Sequence, residues 1–466
     1  MSIFYRIKQL LLISGDLASF SIAFWLSISL RYFQLPSWQI IEVHLPLFLT
    51  VYLMWIIINY INGLYDLGRL TNDRTFYRVF TETGAISLVV GITFFYLFPD
   101  QKIAPKTILL ANIILGYSLS ALWRIIFQNI IGLKNLSTNI IFVGYTTGTQ
   151  ELIEILKNNP EKGYLVKALI DPTKQVKSSA FDFDVYHELD RIRPAISNHK
   201  AHTVVIAPHL HQNSDALREL YELLFWEVKL VDLTSFYETI TGRVPPSTFS
   251  EGWFLQNLCD VRHPIYERFR TIVDYFVSLI IGSFLIILFP FIALAIKINS
   301  PGPIFHKQTR VGQFGKIFWI YKFRSMYVLS KDGSAEVGDY EFDRWVSKKG
   351  DKRITVVGKF LRKTRLDEWP QIINLLKRDI TLIGPRPERP EIVDDLKTSM
   401  PYYPLRQVVK PGLTGWALIH QNYTSTREKS LEKLEYDLYY IKNKSLLLDI
   451  IILLRTVNVL IRLMGQ

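Results

Sequence analysis

The run YFVSLIIGSFLIILFPFIALAI, residues 275–296, decides the fold. Its 22 residues carry no formal charge, and about 20 apolar residues are enough for a helix to cross roughly 30 Å of hydrocarbon. Length alone therefore allows a membrane span. The flanks oppose it. Arg262, Arg268 and Arg270 precede the run while Lys297, Lys307, Arg310 and Lys316 follow it, so a through-going helix puts one basic cluster on the wrong face of the bilayer. Pro290 also removes a backbone hydrogen bond within the run and clashes with the carbonyl four residues back. Together these features predict a kinked, re-entrant helix over residues 266–297 that enters and leaves by the cytoplasmic leaflet. An ordinary fifth span with a proline kink is the alternative.

Working outward, four earlier apolar runs occur at Leu10 to Leu30, Leu45 to Ile61, Thr83 to Phe98 and Ile108 to Ile126. They predict a four-helix transmembrane region over residues 1–131. The first run lacks a small-residue cleavage site and further spans follow it, so it reads as a retained helix. With the N-terminus inside, Arg6, Lys8, Arg69, Arg74, Arg78, Arg124 and Lys134 fall on the inner side and only Arg31, Lys102 and Lys106 outside. That asymmetry sets both ends of the block in the cytoplasm. Asp16 lies inside the first run, where a carboxylate is costly in lipid. It is expected either to pair with a polar group between helices or near the interface, or to serve a function.

Composition agrees with a membrane protein carrying soluble parts: 49% of the 466 residues are apolar, 21% are charged and the mean hydropathy is +0.16. Disordered and fibrous classes are excluded. The net charge of +12 is unevenly placed, since 22 basic and 22 acidic residues precede His263 while 32 and 20 follow. A basic C-terminal portion attracts phosphates on nucleotides, nucleic acid or lipid headgroups. Cys259 is the only cysteine, which excludes a disulfide within the chain and multi-thiolate metal sites.

Between Thr138 and Asp232 short β-rich runs at Asn139 to Val143, Val166 to Ile170, Thr203 to Ala207 and Val228 to Val231 alternate with polar helical stretches. This predicts a small parallel α/β domain of Rossmann type over residues 138–235. Its first turn, Gly144-Tyr145-Thr146-Thr147-Gly148-Thr149, carries threonine at two positions where a dinucleotide fingerprint wants glycine. A degenerate scaffold or dimerisation role is expected, with nucleotide binding the alternative. Residues 236–264, with Pro245-Pro246 and Trp253-Phe254, read as a linker along the membrane surface.

The remaining stretch, 265–466, carries the chemistry. Lys307-Gln308-Thr309-Arg310-Val311-Gly312 and Tyr321-Lys322-Phe323-Arg324-Ser325-Met326 are followed by Arg362-Lys363-Thr364-Arg365-Leu366-Asp367-Glu368-Trp369-Pro370-Gln371 and Gly384-Pro385-Arg386-Pro387. Pro370 suits a first helical turn, so Asp367 and Glu368 fall near the N-terminus of a helix running to about Lys377. Unpaired N–H groups and the positive dipole end there favour a phosphate. Adjacent carboxylates point in different directions on a helix, so one can face a substrate while the other holds a metal. Simple helix capping is the alternative. Lys322, Arg324, Arg365 and Arg386 can offset the repulsion between an anionic nucleophile and a pyrophosphate, and a hard cation such as Mg2+ suits the carboxylate and phosphate oxygens.

On these motifs, with Lys410-Pro411-Gly412-Leu413-Thr414-Gly415-Trp416 and Lys433 to Ile441 following in order, the chain resembles the bacterial sugar transferase family, the monotopic polyprenyl-phosphate hexose-1-phosphate transferases. The four spans and Rossmann-like domain are similar to the large members that act on glucose or galactose. The resemblance implies transfer of hexose 1-phosphate from a UDP-sugar to undecaprenyl phosphate, with release of UMP, at the start of exopolysaccharide, capsule or O-antigen synthesis. It implies Asp367 as the nucleophile that forms a phosphosugar-enzyme intermediate, Glu368 as a Mg2+ ligand, and Arg386 with Arg324 on the diphosphate. Lys322, Arg365 and Arg310 complete the expected binding set. It further implies an inner-membrane protein with its catalytic domain on the cytoplasmic face and, by analogy, a homodimer through the middle domain; the sequence does not identify the sugar, whose selecting contacts are expected within 327–350 and 388–425. Where many relatives break the re-entrant helix with Ser-Pro, this chain has Phe289-Pro290.

Residues Ser445 to Met464 read as an interfacial amphipathic helix carrying Asp449, Arg455 and Arg462. Two rivals for function are a membrane-bound nucleotide-sugar dehydratase or epimerase, for which Tyr440 and Lys444 have the required spacing, and a non-catalytic assembly scaffold. Nucleic-acid binding lacks a supporting motif, and lipid with nucleotide accounts better for the basicity.

Overall fold

The computed structural model describes residues 3–67, 74–98, 106–130, 137–177, 181–258, 264–328, 353–421 and 426–461. It comprises two units, Met1–Ile240 and Thr241–Gln466.

The first unit begins with four long apolar helices: α1 (Ile3–Tyr32), α2 (Trp38–Ile61), α3 (Arg74–Leu97) and α4 (Lys106–Ile130). Each is long and apolar enough to cross a membrane. Their core is aromatic, with Phe20 in contact with Tyr52, Trp55 and Tyr117 at centroid separations of 5.2–5.6 Å. α1 and α4 pack closely because Gly15 has no side chain: the Trp123 indole occupies the space a Cβ would need. The same helices are bound by one polar knot. Asp16 accepts from Arg124 Nη1 at 2.5 Å and Nη2 at 2.8 Å, from Ser120 at 2.6 Å and from the Tyr65 hydroxyl at 2.9 Å. Both charged side chains are fully buried. Asp16 thus takes the structural option. Arg124 is correspondingly no interfacial flanking charge, as its count toward topology assumed, but a buried partner within the bundle. Lys8, also counted as a flank, is buried too. Arg69, Lys102 and Lys134 lie outside the described residues.

The middle of the chain forms a parallel sheet from β1 (Thr138–Val143), β2 (Tyr164–Ile170), β3 (Asp184–Tyr186), β4 (Thr203–Ile206) and β5 (Lys229–Asp232) in the order β3-β2-β1-β4-β5. Alternate residues serve opposite faces. Ile141, Val143, Val204 and Ile206 pack with α6 (Ile192–His199) and α7 (Ser214–Glu222), while Ile140, Phe142 and Val205 pack with α5 (Thr147–Asn158) and α8 (Leu233–Thr241). β3 was not expected, being three residues long with an exposed aspartate. In the turn after β1, Gly144 adopts φ = +95°. Thr149 donates to the Gly144 carbonyl at 3.1 Å, and Thr146 caps α5 by accepting from the Thr149 N–H. Threonine hydroxyls knit the turn that glycines would leave open.

The stretch expected as a linker is structured on both sides of the boundary. Phe236, Tyr237 and Ile240 of α8 belong to the core of the first unit, whereas Val244, with Phe254 and Leu258 of α9 (Glu251–Leu258), belongs to that of the second. Buried apolar side chains, not the prolines, set its course.

In the second unit, α10 (Pro264–Asn299) continues through Pro290 for 36 residues. It is followed by the antiparallel hairpin β6 (Phe305–Val311) and β7 (Ile317–Phe323), α11 (Val356–Lys363), a 3-10 turn (Leu366–Gln371), α12 (Ile372–Leu376), β8 (Thr381–Ile383), α13 (Pro390–Ser399), β9 (Gly412–Thr414), α14 (Trp416–His420), α15 (Arg427–Asn443) and α16 (Leu446–Ile461). β8 and β9 pair in parallel. Both ends of α10 are tied to this one unit. Near its start, Asp274 accepts from the Leu382 N–H at 3.0 Å and from the Thr381 hydroxyl at 2.8 Å. At its end, Asn299 accepts from the Val357 N–H at 3.1 Å, and Ile292 and Ile296 pack with Phe323 and Leu361. Phe289, where a serine was the expected pattern, stacks with Phe305 and Phe323. Between the anchors, Leu279, Ile286 and Ile287 are exposed. On α16, Asp449 points inward, accepting from Tyr266 at 2.6 Å and Tyr440 at 2.9 Å, and leaves Leu447 and Ile450 outside. Arg462 and Met464 lie outside the described residues.

The polar knot yields a stability test. Arg124→Met strands the Asp16 carboxylate in an apolar bundle and should cost about 3–5 kcal/mol. The double variant Asp16→Asn/Arg124→Met should recover part of that loss. Thermal unfolding in detergent followed by tryptophan fluorescence measures both, and a single variant as stable as the parent would remove the knot's structural role.

Candidate active site

The acidic pair is positioned by a tight turn between two short helices. Thr355 caps α11, accepting from the Gly358 N–H at 2.9 Å. The chain then reverses through Arg365 at φ = +60°, which begins the 3-10 turn carrying Asp367 and Glu368. Helix-compatible Pro370 follows as expected, although its turn is 3-10 and α12 is only five residues long. Asn374 holds this element against β7. Its side chain accepts from the Tyr321 N–H at 3.2 Å and donates to the Trp319 carbonyl at 2.7 Å, so Lys322 is presented to the acidic pair.

Three cations converge on one oxygen. Glu368 Oε1 lies 3.1 Å from Lys322 Nζ, 3.0 Å from Arg386 Nη2 and 3.8 Å from Arg365 Nη1. Burial alone raises a carboxyl pKa, but here Lys322, Arg386 and Arg365 outweigh it and hold Glu368 well below the usual carboxylate range. Its neighbour is driven the other way. Burial, reinforced by the Glu368 charge and opposed by Lys322, Arg362 and Arg365, raises Asp367 to about 6. Asp367 Oδ1 is buried and has no hydrogen-bond partner among the described residues. Two adjacent carboxylates are thus pushed apart in acidity, the pattern that separates roles within one site.

Arg386 is held by a loop whose carbonyls are individually engaged. Pro385 O accepts from the Gly412 N–H at 3.0 Å, Arg386 O from Arg406 at 2.9 Å, Pro387 O from Arg310 at 3.2 Å and Glu388 O from the Val311 N–H at 2.9 Å. Arg406 is fixed in turn by Asp437 at 2.7 Å, and Glu388 by Lys433. Burial works against the Glu388 charge, but Lys433 and Arg406 prevail and lower its pKa to about 2. Gly412 lets β9 approach this loop, since a Cβ there would meet the backbone at Ile383 and Gly384.

The structure therefore gathers Asp367, Glu368, Lys322, Arg365 and Arg386. Arg310 stands behind the loop, bonded to Pro387 and Gln308. Arg324 lies elsewhere: its guanidinium donates to the carbonyls of Ser300 at 2.6 Å and Pro301 at 2.7 Å, closing the end of α10. Sequence reasoning missed Arg362, which bonds Ser325 at 2.9 Å and acts on Asp367, and it missed the supporting roles of Asn374 and Arg406. A buried asparagine inside the apolar Ile372–Leu376 run was the available signal for Asn374.

No cluster of three or more metal-ligating side chains occurs among the described residues. Mg2+ commonly takes one or two carboxylates and completes its shell with water and substrate phosphates. The acidic pair, with an unpartnered Asp367 oxygen, fits such a shared site.

Asp367 is held above its unfolded value, so its neutral form favours the fold. That contribution is complete below about pH 4 and is lost as pH rises through about 6. Asp367→Asn should therefore unfold at higher temperature than the parent at pH 8, by the equivalent of about 3 kcal/mol at most, with the difference vanishing near pH 4. Melting curves at the two pH values measure this; equal melting at pH 8 would show that the fold does not raise the Asp367 pKa.

The family model described as bacterial sugar transferase matches residues 265–463. A UDP-N-acetylgalactosamine-undecaprenyl-phosphate N-acetylgalactosaminephosphotransferase from Aeromonas hydrophila is 38% identical over 224 residues, covering 48% of this chain and 50% of that protein. A UDP-glucose:undecaprenyl-phosphate glucose-1-phosphate transferase from Klebsiella pneumoniae is 30% identical over 333 residues, covering 68% of this chain and 66% of that protein. The chain thus spans half the length of the first and just under two thirds of the second. The uncharacterized sugar transferase EpsL of Bacillus subtilis is 39% identical over 173 residues, which are 37% of this chain and 76% of that protein. With its acidic pair, basic cluster and Pro-Arg-Pro loop all inside the matched region, the chain belongs to the bacterial sugar transferase family.

Proposed function

We propose that this protein transfers hexose 1-phosphate from a UDP-sugar to undecaprenyl phosphate, releasing UMP and initiating exopolysaccharide, capsule or O-antigen synthesis. The observation that carries this reading is the unpartnered, buried Asp367 oxygen beside three cations gathered on Glu368. The Aeromonas and Klebsiella relatives are named for the same acceptor lipid and for UDP-sugar donors.

In this mechanism ionised Asp367 attacks the β-phosphorus of the UDP-sugar. An Asp–O–P bond forms as the bond to the UMP oxygen breaks, and UMP leaves. An oxygen of undecaprenyl phosphate then attacks the same phosphorus and displaces the aspartate, leaving a lipid-linked sugar diphosphate. Lys322, Arg365 and Arg386 offset the charge of the incoming diphosphate, at about 4 kcal/mol per pair at 4 Å and an effective dielectric near 20. Mg2+ held by Glu368 would neutralise phosphate oxygens. Splitting the exchange into two displacements predicts ping-pong kinetics.

We place the protein in the bacterial inner membrane, with the catalytic unit on the cytoplasmic face and α10 re-entrant. Support comes from the anchors of α10: a 36-residue helix is about 54 Å long, yet both ends pack on one polar unit, which cannot occupy both sides of a bilayer. A homodimer through the middle domain is favoured by exposed Tyr221, Leu224 and Phe225 there. Sugar selection is assigned to 327–350 and 388–425, of which 329–350 and 422–425 lie outside the described residues. The dehydratase alternative has no support, because Tyr440 is bonded to Asp449 and Lys444 to Glu267, tying helices together.

With a UDP-sugar labelled in its β-phosphate, the denatured parent protein should retain label, while Asp367→Asn retains none and loses UMP release by about 10⁴-fold or more. Label persisting on the variant would rule Asp367 out as nucleophile. Parent activity should rise with pH through about 6 as Asp367 ionises. Glu368→Gln should raise the Mg2+ concentration needed for half-maximal activity, and an unchanged titration would remove Glu368 from the metal's ligands.

A further inference from the structure

A second group of cations lies where α10 meets α12 and β8. Tyr266, Arg270, Asp274 and Ser278 recur every four residues and so share one face of α10. Three of these, Arg270, Asp274 and Ser278, are buried. Asp274 is spent on β8. Arg270 is only 7% exposed, yet its Nε and Nη2 have no hydrogen-bond partner among the described residues.

The acidic groups near Arg270 among the described residues give it charge but no hydrogen bond. Glu267 pairs with Lys444 at 2.7 Å, and Asp449 accepts from Tyr266 and Tyr440, leaving its Oδ2 4.0 Å from Arg270 Nε, beyond hydrogen-bond reach. A buried guanidinium with unpaired N–H groups is costly, and among the described residues these donors are left for a further acceptor.

Two more cations face the same place. Arg378 follows α12 at φ = +65°, a conformation that strains a non-glycine residue. Its guanidinium lies 5.8 Å from the Tyr275 ring of α10, and its Nη1 is also buried without a partner among the described residues. Lys410, just before β9, lies within electrostatic reach of both Arg270 and Arg378. Alongside, Phe269, Ile272 and Phe276 of α10 are exposed. Unpaired guanidinium donors beside an exposed apolar wall match a phosphate carried on acyl chains.

We propose that Arg270, Arg378 and Lys410 bind the phosphate group of a membrane phospholipid. Between Glu368 and Arg378 lie the rest of the 3-10 turn and α12, and the proposed site uses none of the cations gathered on Glu368. The bound lipid fastens the start of α10 to the interface, as Arg324 fastens its end to the protein. The inference rests on reading α10 as membrane-inserted and is independent of Asp367 chemistry.

Native mass spectrometry of the delipidated full chain in detergent tests it, with phosphatidylglycerol titrated and inorganic phosphate in a separate arm. The parent should bind one phosphatidylglycerol tightly, and Arg270→Gln or Arg378→Gln should weaken that binding about tenfold or more. Partly exposed Arg378 provides the variant expected to keep its fold if Arg270→Gln does not, with size-exclusion profiles checking both. Phosphatidylglycerol binding unchanged in Arg378→Gln, or absent from the parent, would overturn the proposal. Inorganic phosphate binding through Arg270 while phosphatidylglycerol does not would overturn the lipid assignment. Because the readout is lipid mass, failure here is distinguishable from failure of the transferase reading, which UMP release reports.

Discussion

Glu368 Oε1 is the point around which the catalytic unit is organised. Lys322, Arg365 and Arg386 come from a strand, a turn and a loop, and their like charges would drive them apart without an anion between them. A buried carboxylate can hold all three because its burial cost is exceeded by the combined attraction. The same arrangement makes Asp367 reluctant to ionise, since it is buried beside a permanent negative charge. One acid is therefore fixed as an anion while its neighbour titrates close to physiological pH.

This electrostatic centre needs rigid supports, and they are mostly polar and buried. Asn374 joins the acidic turn to β7. Arg406, fixed by Asp437, holds the Arg386 carbonyl, while Arg310 holds the next one along. Buried ion pairs of this kind add little net stability compared with apolar packing. They do fix direction, and the planar fork of a guanidinium such as that of Arg386 depends on direction to meet a carboxylate. The Pro-Arg-Pro frame limits backbone freedom, and the donors on consecutive carbonyls remove what freedom remains.

Much of this was legible in the sequence because it is local. The four early helices follow from apolar run length, and the parallel sheet from alternating β-rich and polar segments. The acidic pair and Pro-Arg-Pro loop were recognisable as motifs. Contacts between distant segments were not. Arg324 and Arg386 look alike as arginines in basic motifs, yet one closes the end of α10 and the other meets Glu368. No periodicity separates them, since their partners lie 23 and 18 residues away along the chain. β3 escaped because three residues with one exposed aspartate carry no strand signal. The supposed linker escaped because its prolines are conspicuous while the burial of Phe236, Val244 and Phe254 depends on tertiary packing.

Charged residues within apolar helices share one physical solution. Read along the chain, Asp16 suggests membrane cost, Arg124 a flanking charge and Asp449 the polar face of an amphipathic helix, while Asp274 stands just before the longest apolar run. In the fold each is turned inward: Asp16 and Arg124 onto each other, Asp274 onto β8, and Asp449 onto two tyrosines. The outward faces keep Leu279, Ile286, Leu447 and Ile450. A bilayer penalises an exposed charge and gains nothing from an apolar contact between helices that lipid could equally make. Polar groups are accordingly the more selective fasteners inside such a protein, because only the correct partner relieves their burial. The charge pattern that looks unfavourable for membrane insertion thus becomes the code for how these helices assemble.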